Sequence, residues 1–254
     1  MDTPAPLAIT GERTVPGVWH ENHWFRRHEA AYSALPRWVP TAPRVVLDAG
    51  CGEGYGAALL RGAWPDTRVI GVDYDPMATA HAARAHGGEQ AAHVRAGLTA
   101  LPFGDAVADL VVSLQVLEHL WTPWEYVAEL ARVVGPGGVV VLSTPNRLTF
   151  SPGLGRHAAP TNAYHSREYD AAELQVELEA WLPGWRVQVV GLHLGERLRS
   201  WEASHGSLTH TLASPPGGWG EELREAVVST TATDFVVGEP DDDCLDLVAV
   251  LTAA

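Results

Sequence analysis

The segment Val45-Val-Leu-Asp-Ala-Gly-Cys-Gly-Glu-Gly-Tyr-Gly56 has the residue types needed to cradle a ligand against bare backbone. Three apolar residues lead into Asp48, and Gly50, Gly52 and Gly54 then alternate with other side chains. The pattern predicts a buried strand that breaks into a tight turn, with a helix opening at about Tyr55. Glycine suits such a turn because it tolerates positive φ and lets a ligand approach the main chain closely. A second apolar run, Val69-Ile-Gly-Val-Asp73, ends in an acid about 20 residues further on, where a carboxylate can meet the hydroxyls of a ribose. The spacing also excludes two ligand classes. A dinucleotide fingerprint needs a third glycine where Tyr55 stands, and no lysine-serine or lysine-threonine pair follows to cradle phosphates.

The elements that must position these residues alternate along the chain. Strands are predicted at 44–48, 68–72, 92–95, 109–114, 138–144, 185–193 and 245–252, and helices near 55–63, 76–86, 122–133 and 171–180. That alternation predicts an α/β protein with a mostly parallel sheet and helices on both faces. Gly135-Pro-Gly-Gly138 is expected to end the fourth helix just before strand five. Three regions lie outside the minimal sheet. They are an N-terminal arm at 1–43, with the aromatic and basic cluster Trp19 to His28, and inserts at 147–170 and 194–244. The second insert should hold one or two short helices and the acidic run Asp241 to Asp243. Ligands of open α/β sheets bind at the carboxyl edge of the strands, so the arm and inserts are expected to form a substrate cap on one domain spanning 1–254.

The acid-x-G-x-G-x-G pattern of Asp48 to Gly54 resembles the first motif of class I S-adenosylmethionine-dependent methyltransferases. The resemblance implies a Rossmann-like seven-stranded sheet whose last strand, Leu245 to Leu251, inserts antiparallel between strands five and six. It also implies that Gly50, Gly52 and Gly54 line the methionine part of the cofactor, that Asp73 holds the ribose, and that Asp48 shapes the turn near the ammonium group. After strand three many of these enzymes carry an acid ahead of Leu-Pro-Phe; here the segment is Gly97-Leu-Thr-Ala-Leu-Pro-Phe103. Adenine would then be held by backbone groups around Leu98 and Thr99.

Methyl transfer from a sulfonium requires the protein to hold the acceptor in line and, for a hydroxyl, to take its proton. Leu117-Glu118-His119, after strand four, matches the family's hydrophobic-Glu-His triplet, and His119 is the first candidate base because histidine titrates near pH 6.5. Its alternative role is to cap a helix and order the loop. Relatives that methylate quinone precursors carry a glutamate where Gln115 stands and bind a divalent metal through the resulting triad. Gln115 is a poorer ligand, so no metal ligands are assigned, and Glu118 or Asp241 to Asp243 remain the oxygen donors for a possible divalent ion. Strand five ends in Ser143-Thr-Pro-Asn146, facing the same crevice. His165 is the second candidate base; it lies in Tyr164-His-Ser-Arg-Glu-Tyr-Asp170, where Asp170 and Glu173 fit a capping box.

Thr10-Gly-Glu-Arg-Thr-Val-Pro16 and Glu21 to Glu29 resemble the arm of actinobacterial enzymes that methylate sugars, the group associated with mycobacterial methylglucose lipopolysaccharide. This likeness implies that Arg26 and Arg27 meet the cofactor's carboxylate and that Trp24 closes over it. The expected activity is O-methylation of a sugar or polysaccharide hydroxyl. The alternatives are O-methylation of a quinone-like or natural-product phenol, and a regulatory module that binds the cofactor without turnover. A hydrophobic content of 46% suffices for a core, and a net charge of −14 disfavours nucleic acid and anionic membrane partners. Two cysteines leave no disulfide framework, no apolar run reaches a membrane span, and the start lacks a secretory signal. A cytoplasmic enzyme acting on a small-molecule or oligosaccharide acceptor is expected.

Overall fold

The computed structural model describes residues 13–253; Thr10 to Glu12 of the arm motif lie outside the described residues. The arm enters through helix α1 (Asn22–Ala34), and strand β1 (Val45–Ala49) follows. The chain then alternates through α2 (Tyr55–Ala63), β2 (Arg68–Asp73), α3 (Pro76–Ala85), β3 (Ala91–Arg95), β4 (Ala108–Leu114), α4 (Pro123–Val133) and β5 (Val134–Pro145). Beyond lie the short α5 (Arg147–Phe150), α6 (Ala171–Trp181), β6 (Trp185–Leu194), α7 (Glu196–His205), α8 (Leu208–Leu212), α9 (Glu221–Ser229), β7 (Phe235–Gly238) and β8 (Asp246–Ala253).

The sheet order is β3-β2-β1-β4-β5-β8-β6-β7. Strands β3 to β5 pair in parallel, and β8 runs antiparallel between β5 and β6, as the last segment was expected to do. The expected count of seven strands needs correction. An eighth, β7, pairs antiparallel with the outer edge of β6 from Gly191↔Gly238 to Leu194↔Phe235. Two further boundaries differ. The fourth helix ends at Val133, as the Gly135-Pro-Gly-Gly138 signal implied, but β5 opens at Val134 rather than 138, and these residues fill the register shift between Ala108 and Leu110. The 194–244 insert carries three helices, α7 to α9, rather than one or two.

Both faces of the sheet are buried, so its central strands read as continuous apolar runs. Successive residues serve opposite faces. Val46, Leu110, Val112 and Val141 pack into a cluster with Leu35 of the segment after α1, Leu60 of α2 and Leu198 of α7. Leu47, Val111, Val140 and Leu142 pack into a second cluster with Leu130 of α4 and Leu174 and Leu178 of α6. The strand order reverses between β1 and β4, which opens the crevice at their carboxyl ends. Among the described residues no helix is long and apolar enough to cross a membrane.

Leu142 is fully buried, whereas Val176 on α6 is exposed. Leu142→Ala should lower stability by about 2–5 kcal/mol in urea unfolding, and Val176→Ala should stay within about 0.5 kcal/mol of the parent.

Candidate functional site

From Ala49 the chain turns through Gly50, Gly52 and Gly54, with φ of 83°, 51° and 93°. The amides of Gly50 and Cys51 both donate to the Val72 carbonyl, at 2.7 and 3.0 Å, which fastens the turn to the tip of β2. A Cβ on Gly50 would stand 2.3 Å from Val116 Cγ2, and one on Gly54 would stand 2.5 Å from Ala82 Cβ. A Cβ on Gly52 would meet nothing within 4 Å. Packing therefore demands the outer two glycines, while the middle one borders open space on the ligand side. Asp73 Oδ2 accepts from the Gly52 amide and Oδ1 from the Asp75 amide, both at 2.9 Å, so its carboxylate is held at the edge of the same space.

Asp48 lies beneath the turn. Its Oδ1 accepts from the Tyr32 hydroxyl at 3.0 Å, and its buried Oδ2 has no partner among the described residues. Burial pushes its pKa up to about 7; the Tyr32 hydrogen bond works against that shift and the Asp73 charge adds to it. A buried carboxyl with one bare oxygen suits a cationic group placed above it.

Gln115, just past the end of β4, adopts φ 57°, a left-handed conformation costly for a non-glycine residue. It turns the chain into the short Leu117–His119 helix. Glu118 is fully buried, and burial raises its pKa to about 7 while His165 opposes the shift. The Glu118 carbonyl accepts from the Ser166 amide at 2.7 Å, the Ser166 hydroxyl at 2.9 Å and the Arg167 amide at 3.2 Å, tying the 147–170 insert to the strand tip. His119 Nδ1–H donates to the Tyr164 carbonyl at 3.1 Å, and Nε2 stands 3.9 Å from Glu118 Oε1. Its ring meets that of His165 edge to face, with centroids 4.9 Å apart.

The two histidines differ in what their nitrogens already do. His165 Nδ1–H donates to Glu168 Oε1 at 2.6 Å, and His165 Nε2 accepts from the Asn162 amide at 2.9 Å. Both of its nitrogens are committed. In His119 the Tyr164 carbonyl keeps the proton on Nδ1, so Nε2 is the basic atom, and burial holds its pKa below the ordinary histidine value. Glu118, His119 and His165 also offer ligand atoms within 4.8 Å of one another.

The arm reaches this edge through Arg27. Its guanidinium lies over both the Trp24 and Phe150 rings, 5.1 Å from each centroid. Arg27 Nε forms a buried ion pair with Asp246 Oδ2 at 2.8 Å, off the line of a hydrogen bond, and Nη2 donates to Gln115 Oε1 at 2.7 Å. The Gln115 amide group in turn donates to Ser143 Oγ at 3.0 Å and Asp246 Oδ1 at 3.2 Å. Arg26 instead pairs with Glu29 at 2.6 Å. Neither arginine offers an unmatched charge.

Beyond β3, Leu98 is buried in the core and Thr99 is exposed. The acidic run is tied down through its backbone: Asn146 Nδ2 donates to the Asp241, Asp242 and Cys244 carbonyls at 3.0–3.2 Å, while the carboxylates are exposed. A groove of about 160 Å³ bordered by Leu120 runs between Trp121, Trp124 and Arg167. A larger hollow of about 350 Å³ lies around Pro40, Arg44 and Gly137, at the amino ends of the strands and away from this chemistry. Sequence reasoning missed Tyr32 and Asp246. An acid set in the apolar run Leu245-Asp-Leu-Val248 was the available signal, since a buried carboxylate must find a partner.

A profile described as a methyltransferase domain matches residues 47–142. A probable S-adenosylmethionine-dependent methyltransferase of Mycolicibacterium smegmatis is 43% identical over 97% of this chain and 95% of its own length. One of Mycobacterium tuberculosis is 42% identical over 98% of this chain and 90% of its own. The chain belongs to the S-adenosylmethionine-dependent methyltransferases. Its fold is similar to that of a Thermotoga maritima S-adenosylmethionine-dependent methyltransferase, with TM-score 0.58 and 16% identity over 91% of this chain and 94% of that one. It is equally similar to the plantazolicin methyltransferase solved with S-adenosylhomocysteine, with TM-score 0.58 and 13% identity over 94% of this chain and 87% of that one. The protein is thus an enzyme that uses S-adenosylmethionine, and the open space at Gly52, with the Asp73 carboxylate at its edge, leaves room for such a ligand.

Asp48 ties stability to ligand binding. Its folded pKa of about 7 exceeds the unfolded value of about 3.9, so the native state binds more protons in that interval and its stability falls as pH rises through it. Asp48→Asn should therefore melt higher than the parent at pH 8 and close to it at pH 4, while binding S-adenosylmethionine at least about tenfold more weakly in calorimetry.

Proposed function

We propose that this enzyme methylates an oxygen, the hydroxyl of a sugar or polysaccharide, with His119 as the base that takes the acceptor proton. The observation that carries the reading is the tautomer of His119, set by the Tyr164 carbonyl, at the carboxyl tip of β4. The cofactor supplies an electrophilic methyl group on a sulfonium, so the chain's own task is to hold the reactants and move one proton. Gly50, Gly52 and Gly54 line the methionine part, Asp48 faces its ammonium group, Asp73 receives the ribose hydroxyls, and the backbone at Leu98 and Thr99 borders the adenine. Arg27, Trp24 and Gln115 close the wall beside this space; Arg27 is matched by Asp246, so it acts here as a positioning residue.

As the acceptor oxygen takes the methyl group and the sulfur–methyl bond breaks, with the sulfur leaving as a neutral thioether, the acceptor's proton passes to His119 Nε2. Glu118 stabilises the resulting imidazolium from 3.9 Å, and His165, oriented by Glu168, packs against its edge. His165 is thereby a positioning residue for His119. Trp121, 85% exposed, and Trp124 flank the groove and offer flat faces for a sugar ring. The arm and the inserts at 147–170 and 194–244 serve as the acceptor cap of one domain. Cys51 and Cys244 are buried free thiols, which fits a reducing cytoplasm.

With labelled cofactor, transfer is expected to oligosaccharides carrying free hydroxyls, with or without magnesium; transfer confined to phenols would overturn the sugar assignment. Because burial lowers the His119 pKa, kcat/KM should hold level through neutral pH and fall only on the acid side of about 6.5. A rate that rises as pH drops toward 5 would contradict a neutral imidazole base.

A further inference from the structure

A second cluster lies behind the glycine turn, independent of the acceptor assignment. Glu53 stands between Gly52 and Gly54 and is buried. His81, buried on α3, donates from Nε2 to Glu53 Oε1 at 2.8 Å, and His86 donates from Nε2 to Glu53 Oε2 at 3.2 Å. His86 follows the last turn of α3 and leaves helical geometry at φ −126°, ψ −5°, which swings its ring back over the carboxylate. The three side chains present ligand atoms that all lie within 4.8 Å of one another.

We propose that Glu53, His81 and His86 bind a divalent transition-metal ion of the zinc class. Two imidazole nitrogens and one carboxylate oxygen are the donor set that zinc, cobalt or nickel prefers, whereas magnesium requires oxygen. Ligands of a tetrahedral ion stand roughly 3.4 Å apart, so the contacts at 2.8 and 3.2 Å need open by only a few tenths of an ångström. In the present arrangement two imidazole N–H groups point at the carboxylate from the place of the ion. Binding takes the Nδ1–H tautomer of each ring and leaves the two Nε2 atoms and the carboxylate on the metal.

His93 on β3, with both ring nitrogens buried and without partners among the described residues, lies beside the turn but outside the set of three. An ion here fastens the cofactor turn, through Glu53, to His81 and His86 at the end of α3.

The test uses the full chain, stripped with chelator and titrated with Zn2+ or Co2+ alone by calorimetry and Co2+ absorption. Saturable binding is expected, weakened at least about tenfold by His86→Ala and by Glu53→Gln and unchanged in His119→Ala. Thermal melting verifies that each variant folds. Absence of saturable binding, binding that survives both His86→Ala and Glu53→Gln, or binding lost in His119→Ala would overturn the proposal.

Discussion

The buried pair between Arg27 and Asp246 is the constraint on which the upper edge of the molecule depends. Asp246 begins β8, the strand that closes the sheet between β5 and β6, and it is fully desolvated there. A carboxylate in that position is tolerable only with a cation beside it, and the cation comes from the arm. Removing one partner of such a pair typically costs about 3–5 kcal/mol, because the other charge is stranded. The arm is therefore not an appendage of the sheet. Its docking neutralises β8, and Gln115, shared between Arg27, Ser143 and Asp246, passes that order to the tip of β4.

Two carboxyls near this edge are buried in different surroundings. Asp48 and Glu118 are both raised to about 7 by burial. Asp48 accepts one hydrogen bond, from the Tyr32 hydroxyl, and its other oxygen is buried without a partner among the described residues. Glu118 lies against His119 of its own turn and His165 of the insert, and His165 opposes the rise in its pKa. The backbone of Glu118 also anchors Ser166 and Arg167, so the strand tip and the insert that carries His165 are one assembly.

Much of the sheet was legible because its strands are apolar on both faces and end in glycine or acid. The elements from β1 to β4 fall within one or two residues of their expected bounds. β7 was not legible: four residues, Phe235 to Gly238, make an edge strand only because β6 offers its free side. The helix stop at Gly135 to Gly138 was legible, but the start of β5 was set too late: Val134 already pairs with Ala108, and the glycines form the irregular stretch before pairing resumes at Val139. At the site, the residues with a motif (Asp48, Asp73, Glu118, His119) could be named in advance. Tyr32, Asp246 and the Glu53–His81–His86 cluster could not, because each is defined by a partner distant in sequence. The surroundings of His119 and His165 also needed coordinates, since the Tyr164 carbonyl and the side chains of Asn162 and Glu168 that engage them carry no sequence motif.

The central claim is that His119 takes the acceptor proton while the cofactor is held elsewhere. Steady-state methyl transfer by His119→Ala, set beside its calorimetric affinity for S-adenosylmethionine, addresses both halves at once. A fall in kcat of at least about 100-fold with cofactor affinity unchanged within about twofold is the predicted result. Turnover that persists in His119→Ala but disappears in His165→Ala would contradict it.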